Sequence, residues 1–255
     1  MKSVSSERGC ALVTGGGRGI GAQIALTLSA AGWPVAVGYR SDRQKSEEVV
    51  TAIQRRGNVA VAAPGDLSDP DVVEKVFAAL EERFGRVAVL VNNAGIRADG
   101  ISTGLSDDDW ESVMATNVSA AFWTSRQALP SMIRARHGRI INVSSFVAER
   151  AIAGIANYAA SKAALSGLTR AMAIEVARRG VTVNAVAPGL VATDLTQDLS
   201  HFSKSVERGV PMQRPADLTE IADGVRFLAS DAASYITGHT LAIDGGLSAM
   251  AFSVN

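Results

Sequence analysis

Seven short, mostly apolar runs recur along this chain, and a longer stretch of helical character follows most of them. The runs cover residues 11–14, 34–39, 59–63, 87–92, 139–144, 181–187 and 240–243. One of them, Val87-Ala-Val-Leu-Val91, contains no polar residue. Successive side chains of a strand point to opposite faces, so a sheet with one wet face alternates apolar and polar residues. An unbroken apolar strand is buried on both faces, as in a parallel sheet between two helical layers.

The helical stretches cover 19–31, 44–56, 69–84, 106–114, 117–136, 157–179 and 217–230. Gly32, Gly57 and Gly85 end the first three, and Pro70 sits in the first turn of the third, as expected of helix boundaries. Ser106 followed by Asp107-Asp-Asp109 reads as a capped, dipole-matched helix start. Strand and helix alternating through short links predict a Rossmann-type doubly wound α/β fold, a parallel sheet with helices on both faces. No repeat or low-complexity linker interrupts it, so residues 1–255 are expected to form a single domain. The polar stretch 193–213 follows a strand end and has no clear period, which suits a surface loop or a lid over a site.

Charge narrows the function. The 25 basic and 25 acidic residues cancel, whereas a nucleic-acid domain usually carries a basic excess. The single cysteine, Cys10, excludes an internal disulfide; it opens an apolar run and reads as a buried strand residue. Three histidines make a His-rich metal site unexpected. The first nine residues lack the apolar core of a signal peptide, and no run of about 18 apolar residues could span a bilayer. A cytoplasmic protein is expected.

The first strand runs into Thr14-Gly-Gly-Gly-Arg-Gly-Ile-Gly21. Glycines here permit a tight turn and a close backbone approach to a pyrophosphate, with the N–H groups of the following helix facing the anion. Gly15, Gly17, Arg18, Gly19, Ile20 and Gly21 are the candidate contacts. At the end of the second strand, dinucleotide folds place an acid for NAD, or an arginine for the 2′-phosphate of NADP. Here Tyr39 occupies the expected acid position, Arg40 and Ser41 follow, and Arg18 adds a second cation. A guanidinium grips phosphate through a fork of donors. NADP(H) is the expected cofactor.

Further motifs continue in order: Asn92-Asn-Ala-Gly95 at the fourth strand's end, Asn117 after Ala115-Thr116, Ser145 thirteen residues before Tyr158, Tyr158-Ala-Ala-Ser-Lys162, and Pro188-Gly189 ending the sixth strand. With the glycine loop, these make the chain resemble the short-chain dehydrogenase/reductase family over nearly its whole length. The resemblance implies that Asp66 and Leu67 meet the adenine ring, and that Asn93, Ala94 and Gly95 run along a cofactor ribose. It also implies that Pro188, Gly189, Val191 and Thr193 approach the nicotinamide.

Tyr158 and Lys162 are four apart on a helix and share a face. A nearby ammonium favours phenolate and is expected to lower the tyrosine pKa, so that Tyr158 trades a proton with the substrate oxygen. Ser145 is expected to donate a hydrogen bond to that oxygen. By the family resemblance, Lys162 also bonds the nicotinamide ribose and Asn117 organises a water chain from Lys162 to solvent.

Within the family, Arg136-His-Gly-Arg-Ile-Ile-Asn-Val-Ser144, Ala156-Asn-Tyr-Ala-Ala-Ser-Lys-Ala163, Pro188-Gly-Leu-Val-Ala-Thr-Asp194 and Phe227-Leu-Ala-Ser-Asp231 are most similar to 3-oxoacyl-(acyl-carrier-protein) reductases. That similarity implies reduction of a 3-oxoacyl thioester, with Arg136 and Arg179 docking an acidic acyl carrier protein. The alternative is that both are exposed helix-end cations favoured by the dipole. After Arg214 the chain reads Pro-Ala-Asp, a departure from the group's common Gly-x-Pro. Acetoacetyl-CoA, polyketide, sugar, steroid and small-alcohol substrates remain open, as does a non-catalytic cofactor-sensing protein. The stretches 117–136 and 157–179 carry small or apolar residues on more than one face, which predicts burial against the sheet on one side and a second subunit on the other; the family resemblance implies a homotetramer.

Overall fold

The computed structural model describes residues 8–150, 152–191 and 209–250. Their strands are β1 (Cys10–Val13), β2 (Val35–Tyr39), β3 (Ala60–Pro64), β4 (Val87–Asn92), β5 (Gly138–Val143), β6 (Val181–Pro188) and β7 (Thr240–Ile243). They form one seven-stranded sheet in the order β3-β2-β1-β4-β5-β6-β7, and every neighbouring pair is parallel. The helices are α1 (Gly19–Ala30), α2 (Arg43–Arg55), α3 (Pro70–Phe84), α4 (Asp107–Met114), α5 (Ala120–Ala135), α6 (Ala156–Val176) and α7 (Leu218–Leu228).

Strand periodicity divides the core in two. Ala11, Val13, Val35, Val37, Val89 and Val91 point to a layer holding Ile24 and Leu28 of α1, Ile53 of α2 and Val225 of α7. Cys10, Leu12, Ala36, Leu90 and Ile140 point the other way, onto Phe77 of α3, Met132 of α5 and Met172 of α6. Val87 through Val91 are all fully buried, which is why that run needs no polar position. Each large apolar side chain so buried contributes about 1.5–3 kcal/mol, and an aspartate at Val89 would break the layer.

The strand order reverses at β1. The chain first builds outward through β2 and β3, then returns to lay β4 on β1's other side. The helices α1 and α5 that follow β1 and β4 therefore lie on opposite faces, and a crevice opens at the carboxyl ends of these strands, where such folds bind ligands.

The sequence expectation of two separate helices over 106–114 and 117–136 is corrected. A π-helical turn, Ala115–Ser119, joins α4 to α5 without a break, because no Gly or Pro separates Met114 from Asn117. Pro130 lies inside α5, which continues through it to Ala135. Elsewhere the boundaries agree within three residues, and those of β4 and β7 coincide. The stretch 177–179 that was expected to prolong α6 is a 3₁₀ turn, and α7 is closed at its start by a reciprocal capping box between Asp217 and Glu220.

Candidate active site

The crevice is a cleft of about 850 Å³ lined by the loops after β1, β2, β3, β4, β5 and β6. Its floor is the glycine loop. Gly15 has φ +61°, and a Cβ there would lie 3.0 Å from Ala94 Cα. A Cβ on Gly21 would fall 2.2 Å from the Gly15 carbonyl oxygen. The loops after β1 and β4 thus pack backbone to backbone, which side chains would prevent. Thr14 Oγ1 accepts from the amides of Asn93 and Ala94, both at 2.9 Å, and Asn93 Nδ2 donates to the carbonyls of Thr14 and Gly15. Asn93 therefore clamps the glycine loop, in addition to lining the cleft with Ala94 and Gly95. Gly17, Arg18, Gly19 and Ile20 line it where α1 begins. A cradle without side chains at a helix N-terminus fits a pyrophosphate.

At one end of the cleft, Arg40, Ser41, Asp66 and Leu67 come together. Arg40 Nη1 lies 3.9 Å from Asp66 Oδ2, with both side chains about half exposed. Asp66 accepts from the Ser68 hydroxyl at 2.7 Å, and this bond holds its carboxyl below the usual range. Sequence reasoning missed Lys45 and Ser46, which also line the cleft here. Asp42 caps α2 by accepting from the Lys45 amide at 3.1 Å, and its carboxylate lies 3.9 Å from Lys45 Nζ. Ser46 is fully buried and its Oγ has no partner among the described residues. The signal was available, since both stand in the first turn of the helix that follows Arg40. Two cations, Arg40 and Lys45, and the Ser41 and Ser46 hydroxyls suit a phosphate ester.

Ser145, Tyr158 and Lys162 meet at the other end. Ser145 leaves β5 in extended backbone, and its Oγ caps the short turn that follows by accepting from the Val147 amide at 3.4 Å. Its hydroxyl also acts on the Tyr158 phenol, favouring the phenolate. Lys162 lies one helical turn on. Its Nζ donates to the Val143 carbonyl at 2.8 Å and sits 5.5 Å from the Tyr158 ring centroid. Burial lowers the Lys162 pKa from the ordinary 10.5 to about 8. The expectation that Lys162 lowers Tyr158 is corrected here. Burial pushes the Tyr158 phenol up, against the opposing pull of Arg97 and the Ser145 hydrogen bond. The ammonium's hydrogen bond goes to a carbonyl of β5, and desolvation of the ring outweighs its neighbours.

Asn117 stands in the widened π turn. Its Oδ1 accepts from the Ile96 amide at 2.8 Å, and its Nδ2 donates to the Ile96 carbonyl and to Ser161 Oγ. A regular helix would carry this side chain elsewhere, and π-bulges of this kind recur at functional sites. The side chain ties the β4 loop to α6 beside Lys162, and Gly95 lies between them: a Cβ there would be 3.3 Å from Asn117 Oδ1 and 3.5 Å from Lys162 Nζ.

Pro188, Gly189 and Val191 line the cleft after β6. Thr193 and most of 193–213 lie outside the described residues. Sequence reasoning also missed Arg97, Asp99, Ile101, Phe146 and Ile152, which form the wall near Tyr158. Cys10 does not take part; burial pushes its thiol up to about 12, as an inert strand residue requires.

Arg136 and Arg179 do not reach the cleft of their own chain. Arg136 ends α5 in the left-handed conformation and donates to the Arg178 carbonyl at 3.3 Å. Both arginines precede the amino ends of strands β5 and β6, whereas the cleft opens at the carboxyl ends. From Tyr158 to Val176 alone, α6 rises about 27 Å.

A parallel sheet with its crevice at the β1/β4 reversal, a glycine loop and a Ser-Tyr-Lys cluster defines a nicotinamide-linked oxidoreductase. The family model described as enoyl-(acyl carrier protein) reductase matches residues 15–248, and the chain belongs to the short-chain dehydrogenase/reductase family. It is 43% identical over 238 residues to 3-oxoacyl-(acyl-carrier-protein) reductase FabG of Staphylococcus aureus (strain N315), covering 93% of this chain and 97% of that one. The FabG of Escherichia coli (strain K12) is 41% identical over 238 residues, 93% of this chain and 96% of its own. Among solved structures, a gluconate 5-dehydrogenase from Burkholderia cenocepacia J2315 in complex with NADP and tartrate superposes with a TM-score of 0.90. That pair shares 33% identity over 95% of this chain and 96% of the other.

Proposed function

We propose that this protein reduces the 3-oxo group of an acyl thioester to a 3-hydroxyl with NADPH. The observation that carries the reading is the convergence of Ser145, Tyr158 and a buried Lys162 in the cleft, with Lys162 Nζ anchored to the Val143 carbonyl. The family description names enoyl reduction, but relatives at 41–43% identity are named for the 3-oxo reaction. A hydroxyl pair aimed at one oxygen suits a carbonyl, whose oxygen gathers charge as it is reduced.

Arg18, Arg40 and Ser41 hold the 2′-phosphate in this reading, and the glycine loop holds the pyrophosphate. The bound cofactor supplies a hydride for the carbonyl carbon. Ser145 donates to the carbonyl oxygen and stabilises the negative charge that grows there. Tyr158 protonates that oxygen. Lys162 bonds the nicotinamide ribose and, with Asn117, serves proton return to Tyr158. Phe146, Ile152 and Ile101 offer apolar surface to the acyl chain.

In this reading residues 1–255 are one domain, the enzyme is cytoplasmic, and it works as a homotetramer through the outer faces of α5 and α6. Ala163, Ala171 and Ile174 stand exposed on α6, Ile174 at 81%. An acyl carrier protein docks on Arg136 and Arg179. Since these lie a helix length from Tyr158, the carrier serves the cleft of a neighbouring subunit, which antiparallel pairing of α6 brings near.

NADPH absorbance with an acetoacetyl thioester, free and carrier-bound, tests the reading; wild-type enzyme inert toward both overturns it. A second reading is oxidation of a hydroxy acid, which the tartrate-bound gluconate 5-dehydrogenase favours. Reduction of NADP by gluconate, with no activity on thioesters, would support it.

A further inference from the structure

The wall facing Tyr158 contains a cation that the chemistry above does not use. Arg97 follows Ile96 in the β4 loop, lines the cleft, and places its Cζ 5.7 Å from the Tyr158 ring centroid. Its side chain is only 19% exposed. Asp99 grips it side-on: Nε donates to Oδ1 at 3.1 Å and Nη2 donates to Oδ2. This fork fixes the guanidinium plane and uses two of its three nitrogens. Nη1 has no protein partner among the described residues.

The loop carrying the pair is itself held. Asn157 Nδ2 donates to the Ala98 carbonyl at 3.0 Å, and Gly100 bridges to Ile155, its amide donating to the Gly154 carbonyl at 2.9 Å. The cation is therefore pinned relative to Tyr158 by the start of α6 and the turn before it. A guanidinium desolvated beside the proton donor must meet an acceptor on the bound molecule, or its free N–H groups stay unsatisfied once substrate displaces water.

We infer that Arg97 is a specificity-determining residue, which donates from Nη1 to the second oxygen of the substrate, the acyl C1 carbonyl two carbons from the reacting one. Asp99 is its positioning residue. The pair then selects 1,3-dicarbonyl compounds over simple ketones, because a lone ketone leaves Nη1 unpaired. The inference rests on the oxoacyl reading above.

The test compares kcat/KM for the N-acetylcysteamine thioester of acetoacetate with that for 2-pentanone, each with saturating NADPH. Where the ketone turns over at background, its inhibition constant against the thioester takes the place of kcat/KM. Arg97→Met keeps the length of the side chain and removes every donor. The thioester-to-ketone preference is expected to fall about 10- to 100-fold, the range for a hydrogen bond to a charged group. Most of the loss should appear in KM. Arg97→Lys should recover part of it, and Asp99→Asn should give a smaller loss in the same direction. NADPH binding, followed by fluorescence, checks that each variant is folded. An unchanged preference, or equal losses on both compounds, overturns the inference while leaving the oxoacyl reading intact. Wild-type enzyme without thioester activity overturns both.

Discussion

Lys162 Nζ donates to the main-chain carbonyl of Val143 at 2.8 Å, so the ammonium of α6 is anchored to the end of β5. A charge held there in the folded protein costs free energy, because burial alone lowers its pKa to about 8. Between that value and the ordinary 10.5, the unfolded chain binds the proton more tightly than the folded one. Stability from this group therefore rises with pH through that window, and the penalty is in full force below about 8. The whole span is worth about 3 kcal/mol. Thermal melts of the cofactor-free protein are expected to show Lys162→Met gaining stability over wild type at pH 7, less the lost bond to Val143. The gain should shrink as pH rises from 8 toward 10.5, and turnover should be lost. A gap between the two melting curves that does not change with pH contradicts the assignment.

Tyr158→Phe removes the transferable proton and little else. Loss of at least about 100-fold in kcat is expected, the low end for a positioned acid, with NADPH affinity within about threefold of wild type. Near-normal turnover would remove Tyr158 from the proposed chemistry.

Cofactor choice should rest on the cations at the β2 end. Arg40→Ala is expected to cut kcat/KM for NADPH about 10-fold or more, and that for NADH much less, since a charge-assisted bond to phosphate is lost. It also frees Asp66 from its ion pair at 3.9 Å. Arg18→Ala should add to the effect. Equal changes for the two cofactors would mean that neither arginine reads the phosphate.

Carrier docking predicts a salt-sensitive defect. Arg179→Glu should raise KM for a carrier-bound 3-oxoacyl substrate several-fold at low ionic strength, with kcat nearly constant, because rim charges act on association and are screened by salt. A free thioester should be affected far less. If docking operates across subunits, a monomeric variant should show the same weakness toward carrier-bound substrate. Light scattering that finds wild type monomeric at micromolar concentration would remove the cross-subunit route.

Much of this was legible in the chain. Uninterrupted apolar strands and glycine-stopped helices gave away the layers, since burial on both faces leaves a compositional trace at every position from Val87 to Val91 of β4. The Tyr158–Lys162 spacing survives because helical phase is fixed by 3.6 residues per turn. What stayed hidden depends on how loops fold back. Arg97 and Lys45 look like any surface cation until the β4 loop and the first turn of α2 are seen to line one cleft. Arg136 and Arg179 showed the converse, their spacing from the motifs concealing that they end up at the amino ends of the strands, away from the cleft. Tyr158's upward shift was equally out of reach, for burial is a property of the surroundings and not of the residue type.

The widened turn at Ala115–Ser119 amounts to a residue held in surplus. Deleting Val118 would let α4 and α5 merge into one regular helix, a locally better hydrogen-bonded rod. Positions on one side of the excision would then rotate by about 100° relative to the other, and the Asn117 link to Ile96 and Ser161 could not survive together with the buried contacts of Ala128 and Met132. Local helical regularity and the architecture of the cleft are thus in direct competition at this point of the chain, and the fold is built on the side of the cleft.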